Sequence, residues 1–140
     1  MGKGEKVVID TNVFVSAFGW GGTPLKVIEL LENEEIINCI SEEILAELCS
    51  TLSYPKLDFP RKLQSDILEF VLAYSEINEP NKHVSVASDP KDNKFIDCAL
   101  KDRAKFLITG DKRLQAIKQF QHIGIITPED FMSRRGGKSS

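Results

Sequence analysis

Four acidic residues far apart in the chain are placed where they could do chemistry: Asp10, Glu47, Asp92 and Asp111. Asp10 closes the run Val7-Val8-Ile9, whose β-branched types suit a strand buried on both faces. A carboxylate delivered to a buried strand end is costly to desolvate unless something compensates it. Asp111 follows the run Phe106-Leu107-Ile108-Thr109 through Gly110, so it too reads as a strand-end residue. Asp92 falls in the first turn of a helix opened by Asp89-Pro90, with Asp89 as N-cap and Pro at the first helical position. Glu47 lies mid-helix between Ile44 and Leu48, on the flank of that helix's apolar stripe. Clustered carboxylates repel one another, so either some hold protons or cations sit between them. Their oxygens are hard ligands suited to Mg²⁺ or Mn²⁺, ions that keep several waters and accept phosphate oxygens. On this reading a metal compensates Asp10, and Thr11 and Asn12 orient it or hold a bound water.

Each acid alone has a plainer explanation. Negative charge is favoured in the first turn of a helix, so Asp92 reads equally well as a capping residue. Asp111 could be a turn residue in Gly110-Asp111-Lys112, and Glu47 a solvated helix residue. Asp10 resists the plain reading best, because its strand delivers it into a crowded crevice. It is the combination that points to a site.

Strand-like runs at 7–10, 36–40, 84–87, 106–109 and 123–127 must position these acids. Between them lie helical patterns at 25–32, after Ser41 as N-cap, at 60–75, after Asp89 and after Thr127. Such alternation predicts an α/β domain with a mainly parallel sheet of about five strands. Sheets of this kind place their sites outside the carboxyl ends of the strands.

The 140 residues suffice for one domain. Residues 1–133 read as that domain and 134–140, Arg-Arg-Gly-Gly-Lys-Ser-Ser, as a disordered tail. Three separated cysteines, Cys39, Cys49 and Cys98, read as buried free thiols of a cytoplasmic protein. His83 and His122 lack partners at zinc-ligand spacing and read as surface or turn residues. No apolar run long enough to span a membrane and no signal-peptide core occurs. The net charge of −3 argues against a general nucleic-acid coat, although it conceals a gradient. Seven glutamates and no basic residue fall between Ile28 and Leu48, whereas eight basic residues face four aspartates between Lys91 and Lys118.

Val-Val-Ile-Asp10-Thr11-Asn12, then Ser41 to Glu47-Leu48, then Asp89-Pro90-Lys91-Asp92-Asn93, then Leu107-Ile108-Thr109-Gly110-Asp111 together resemble the PIN-domain (PilT N-terminus) ribonuclease family. The resemblance covers about residues 6–132 and is closest to the toxin components of toxin–antitoxin systems. It implies a three-layer α/β/α sandwich. It implies also that Asp10, Glu47, Asp92 and Asp111 form the catalytic, metal-holding quartet, with Asn12 and Thr109 in support. Asp97 would be a fifth contributor or the polar edge of its helix, the latter being favoured. Partners implied are an RNA substrate and a small antitoxin whose Arg or Lys side chains could pair with Glu47 or Asp92.

The chemistry would be hydrolysis of an RNA phosphodiester by a metal-activated water, leaving 5′-phosphate and 3′-hydroxyl ends. Lys91, Lys94, Lys112 and Arg113 flank the acids and could grip phosphates, or simply form a solvated face. Trp20, in the loop Phe18-Gly19-Trp20-Gly21-Gly22, could stack on a base, although packing is the commoner fate. The 60–75 helix carries more apolar residues than one stripe needs, which predicts a homodimer through it. Two rivals stand beside this reading: an inactive RNA- or protein-binding module of the same fold, and a metal-dependent phosphatase or receiver-type domain. The second would want an Asp two residues after Asp10, where Asn12 stands.

Overall fold

Val7, Val8 and Ile9 are almost wholly shielded from solvent, as β-branched residues in the middle of a parallel sheet should be. They belong to β1 (Glu5–Ile9) in a computed structural model that describes residues 4–139. Around β1 lie β2 (Ile36–Ser41), β3 (Ser75–Asn78), β4 (Phe106–Ile108), β5 (Gln119–Phe120) and β6 (Ile123–Ile126). The sheet order is β3-β2-β1-β4-β6-β5, and every neighbouring pair is parallel except the antiparallel β5 and β6. Six strands thus replace the expected five, the addition being a two-residue edge strand.

The chain moves outward from β1 to β2 and β3, then returns to β4 on the other flank of β1. That reversal opens a crevice at the carboxyl ends of β1 and β4, the place where open α/β sheets bind their ligands. The register sets Ile9 opposite Ile108, and the Asp10 amide donates to the Ile108 carbonyl at 3.0 Å. The two strand ends are therefore locked side by side.

Helices α1 (Thr11–Trp20), α2 (Gly22–Glu32), α3 (Glu42–Leu52), α4 (Arg61–Ala73), α5 (Asn93–Asp102), α6 (Lys112–Gln115) and α7 (Pro128–Ser139) flank the sheet. Among the described residues none is long and apolar enough to cross a membrane. Helix α5 packs across β1, β2 and β4, and α2 packs against both α1 and α7. Phe14, Phe95 and Phe131 fill the largest core positions. Burying a side chain of that size contributes about 1.5–3 kcal/mol.

Several sequence expectations are corrected. Residues 84–87 form no strand, because their amides are drawn to α5 instead of to a sheet neighbour. Val84 donates to Asp97 Oδ1 at 2.7 Å, while Val86 and Ala87 donate to Asn93 Oδ1 at 3.0 and 2.8 Å. The place beside β2 is taken by Ser75–Asn78, directly after α4. Phe18, Gly19 and Trp20 are the end of α1 and not a loop, because Asp10 caps a helix that runs on to Gly21. Trp20 stays 71% exposed and tilts against Phe59, with ring centroids 6.1 Å apart.

Helix α7 runs through Arg134 and Arg135, which the sequence reading puts in a disordered tail. Arg135 pairs with Glu35 at 3.2 Å and lies 3.9 Å from Glu5; Ser140 lies outside the described residues. The apolar surplus of α4 is largely used inside the chain. Ile67 and Val71 are buried, Leu63, Leu68, Phe70 and Tyr74 pack on the core, and only Leu72 is exposed. The homodimer expected from that surplus thereby loses most of its basis. Cys39 and Cys98 are buried, their thiols pushed up chiefly by desolvation, but Cys49 is exposed.

Candidate active site

Asp10 caps α1 from the end of β1, and its carboxylate is almost fully buried. Oδ1 accepts the Asn12 amide at 3.2 Å, and Oδ2 accepts the Thr109 hydroxyl at 2.7 Å. Thr109 Oγ1 in turn accepts the Asp111 amide at 3.0 Å, which ties the ends of β1 and β4 together through one hydroxyl. The protein itself therefore supplies part of the compensation that the sequence reading assigns to metal. It does not supply all of it. Burial still pushes the Asp10 carboxyl up, and the charges of Glu47 and Asp111 push it further.

Asp92 closes a 3-10 turn, Pro90–Asp92, immediately before α5. Capping falls to Asp89, which takes the Lys91 amide at 3.0 Å, whereas the Asp92 side chain caps nothing. The plain reading of Asp92 as a cap is thus removed. Burial pushes its carboxyl up to about 6, with the charges of Asp10, Asp111 and Asp89 adding to the effect. Asp111 does both jobs considered for it: Oδ1 accepts the Arg113 amide at 2.8 Å and caps α6, and its charge is felt at Asp10 and Asp92.

Glu47 is turned to a partner that the sequence reading assigned elsewhere. Lys94 Nζ lies 2.6 Å from Glu47 Oε1, and the same ammonium donates to the Lys91 carbonyl. Lys94 is 6% exposed, so it is no surface grip for phosphate. Nothing in its spacing marks it, because the partner that permits its burial is 47 residues away. Lys91, Lys112 and Arg113 are exposed, as phosphate contacts would need to be.

Asp97 is likewise corrected. Its carboxylate is buried, holds Val84 N and lies 3.1 Å from His83 Nδ1, so it anchors the start of the 84–87 segment to α5 and is not the solvated edge of that helix. Asn12 is exposed at the rim of a cleft of about 350 Å³ that it shares with Ser16, Gly110 and Asp111. Thr11 is buried, and its hydroxyl has no hydrogen-bond partner, a polar atom left over next to Asp10 in the chain.

The donor set fits a hard divalent cation: desolvated carboxylates that raise one another's proton affinity, beside an orphaned hydroxyl. As the side chains stand, no three of the described His, Cys, Asp or Glu residues close into an ion-binding group. The acids lie within range of each other's charge, but Glu47 is held on Lys94.

The raised Asp92 carboxyl has a consequence for stability. Its folded pKa lies above the ordinary value, so its contribution to stability is whole below about pH 4 and is lost as pH rises through about 6. Asp92→Asn should therefore raise the melting temperature of the metal-free protein at pH 7 but not at pH 4. A shift of that size is worth at most ~3 kcal/mol, and closer to ~1 kcal/mol for a partly exposed group screened by solvent. Equal melting temperatures for wild type and variant at pH 7 would show that Asp92 feels no such repulsion.

A mostly parallel sheet flanked by helices, with acids gathered at its carboxyl edge, defines a class of α/β domains able to hold a catalytic cation. Residues 6–113 match the PIN domain family, and the chain belongs to it. PIN domains are generally nucleases that use divalent metal ions. The uncharacterized protein MJ1680 of Methanocaldococcus jannaschii is 36% identical over 139 residues, covering 91% of this chain and 89% of that protein. Among solved structures, VapBC2 from Rickettsia felis, bound to a DNA fragment from their promoter, superposes with a TM-score of 0.61 at 18% identity. The match covers 87% of this chain and 98% of that one. The PIN domain endonuclease Utp24 gives a TM-score of 0.56 at 20% identity, over 87% and 84% of the two chains.

Proposed function

We propose that this chain is an Mg²⁺- or Mn²⁺-dependent endoribonuclease and the toxin of a toxin–antitoxin pair, acting in the cytoplasm. The observation that carries the nuclease reading is the gathering of Asp10, Asp92 and Asp111 within range of one another's charge: Asp111 pushes the Asp10 carboxyl up, and Asp10 and Asp111 push the Asp92 carboxyl up. These three acids would hold the ion. A bound ion would supply Lewis-acid stabilisation of the charge that develops on the phosphodiester.

The chain's own groups do the positioning. Thr109 and the Asn12 amide fix the orientation of Asp10, and the α1 N-terminus favours its charge. The exposed Lys91, Lys112 and Arg113 would hold the strand by its phosphates. Fold similarity to the VapBC2 complex supports an antitoxin partner, whose basic side chains would suit a crevice of carboxylates. The inactive-module reading is favoured by one observation, the engagement of Glu47 by Lys94.

A single assay separates the two. Purified protein should cleave single-stranded RNA with Mn²⁺ or Mg²⁺ and stop with a chelator. Asp92→Asn should lose at least ~10²-fold of that rate. Asp89→Asn should keep it, since Asn caps about as well as Asp. Cleavage that survives chelation, or an Asp92→Asn protein as active as wild type, would defeat the proposal.

A further inference from the structure

Lys94 is the one buried cation among the described residues, and it is held on Glu47, whose charge reaches Asp10. It stands two residues after Asp92, and its charge is felt there, lowering the Asp92 carboxyl against the trend set by burial. Its ammonium has three N–H donors, and the structure accounts for two, one on Glu47 Oε1 and one on the Lys91 carbonyl. An ammonium so thoroughly removed from water is tolerated only because these partners are in place. Helix α3 carries Glu47 and packs directly against α5, which carries Lys94, so two helices fix the pair.

A pair of divalent ions sharing one acidic site needs carboxylates enough to hold and neutralise both. Here Glu47 is already paired with Lys94, which leaves Asp10, Asp92 and Asp111. Three unit negative charges are more than offset by two divalent ions but not by one. We propose that Lys94 takes the place of a second metal ion. It withholds Glu47, so the site takes one divalent ion on Asp10, Asp92 and Asp111. This inference rests on the metal-site reading given above.

The test is the stoichiometry of Mn²⁺ bound to the full chain, counted from the free-ion electron paramagnetic resonance signal and by calorimetry without RNA. Wild type should bind one ion. Lys94→Met frees Glu47 and should bind two, or bind its single ion at least ~10-fold more tightly, because an uncompensated carboxylate then faces the crevice. The double variant Lys94→Met/Glu47→Gln removes the pair as a unit. It should return to one ion, with affinity within about threefold of wild type. The double variant leaves neither charge unpaired, so it serves even if Lys94→Met alone folds poorly.

Two ions on wild type would overturn the inference while leaving the metal-site reading intact. Loss of the ion from the double variant would do the same, by showing that Glu47 is itself a ligand. A wild type that binds no Mn²⁺ at all would overturn both readings.

Discussion

Asp10→Asn should lower cleavage of RNA by at least ~10²-fold while leaving the fold intact. The substitution changes charge and almost nothing else. The amide oxygen of Asn can take the Asn12 N–H, and its amino group can turn to Thr109 Oγ1, so the helix cap and the link to β4 survive. What is lost is a hard anionic oxygen at the meeting point of β1 and β4. Burial and the charges of Glu47 and Asp111 push the wild-type carboxyl up, so the neutral amide should cost the metal-free protein no stability. The measurement is a pair of curves, cleavage rate and thermal melting, on the same preparation with and without Mn²⁺. Wild type should gain melting temperature from Mn²⁺, since an ion bound only by the folded state stabilises it, and the variant should lose most of that gain. A variant that keeps both the rate and the gain would remove Asp10 from the site.

The largest effect on stability is expected at Asn38. It lies in β2 and is wholly buried, yet its side chain is polar. Its Oδ1 accepts the Ile9 amide at 3.0 Å, and its Nδ2 donates to Ser75 Oγ at 2.9 Å. The paired register of β1 and β2 ends at Val7 and Asn38, so Asn38 continues by side chain a ladder that the backbones have ended. Asn38→Ala would leave the buried Ile9 N–H without an acceptor and open a small void. Together these should cost about 2–4 kcal/mol. For a chain of this size that is a fall of roughly 10 °C in melting temperature. Because Ile9 delivers Asp10, metal affinity should fall too. A fall of less than about 1 kcal/mol in a urea titration would mean that Ile9 N–H finds another partner at little cost.

Much of the chain's plan was legible from local physics. Three β-branched residues in a row specify a doubly buried strand wherever the chain folds, so the position of Asp10 at a strand end followed from Val7, Val8 and Ile9 alone. Ser41 caps α3 as expected, and Asp89 takes the Lys91 amide as a cap, though of a 3-10 turn that leads into α5; an N-cap is decided by residues within one turn of it. The alternation of strands and helices entailed a mainly parallel sheet, and the sheet entailed an edge at which Asp10 and Asp111 could meet.

Tertiary structure alone decided the rest, mostly through partners that lie on other elements of the fold. Residues 84–87 look like a strand, but Asn93 and Asp97 take their amides before any sheet neighbour can. Cys49 lies on the outer side of α3, a fact that its apolar neighbours in sequence conceal. Asn38 reads as a blemish in an apolar run until Ile9 and Ser75 arrive on its two sides. Lys94 belongs by composition with Lys112 and Arg113 on a solvated face, and those two do remain there. Lys94 is carried inward by α5, and a charge can remain inside only where another waits for it; the packing of α3 against α5 brings Glu47 to that place.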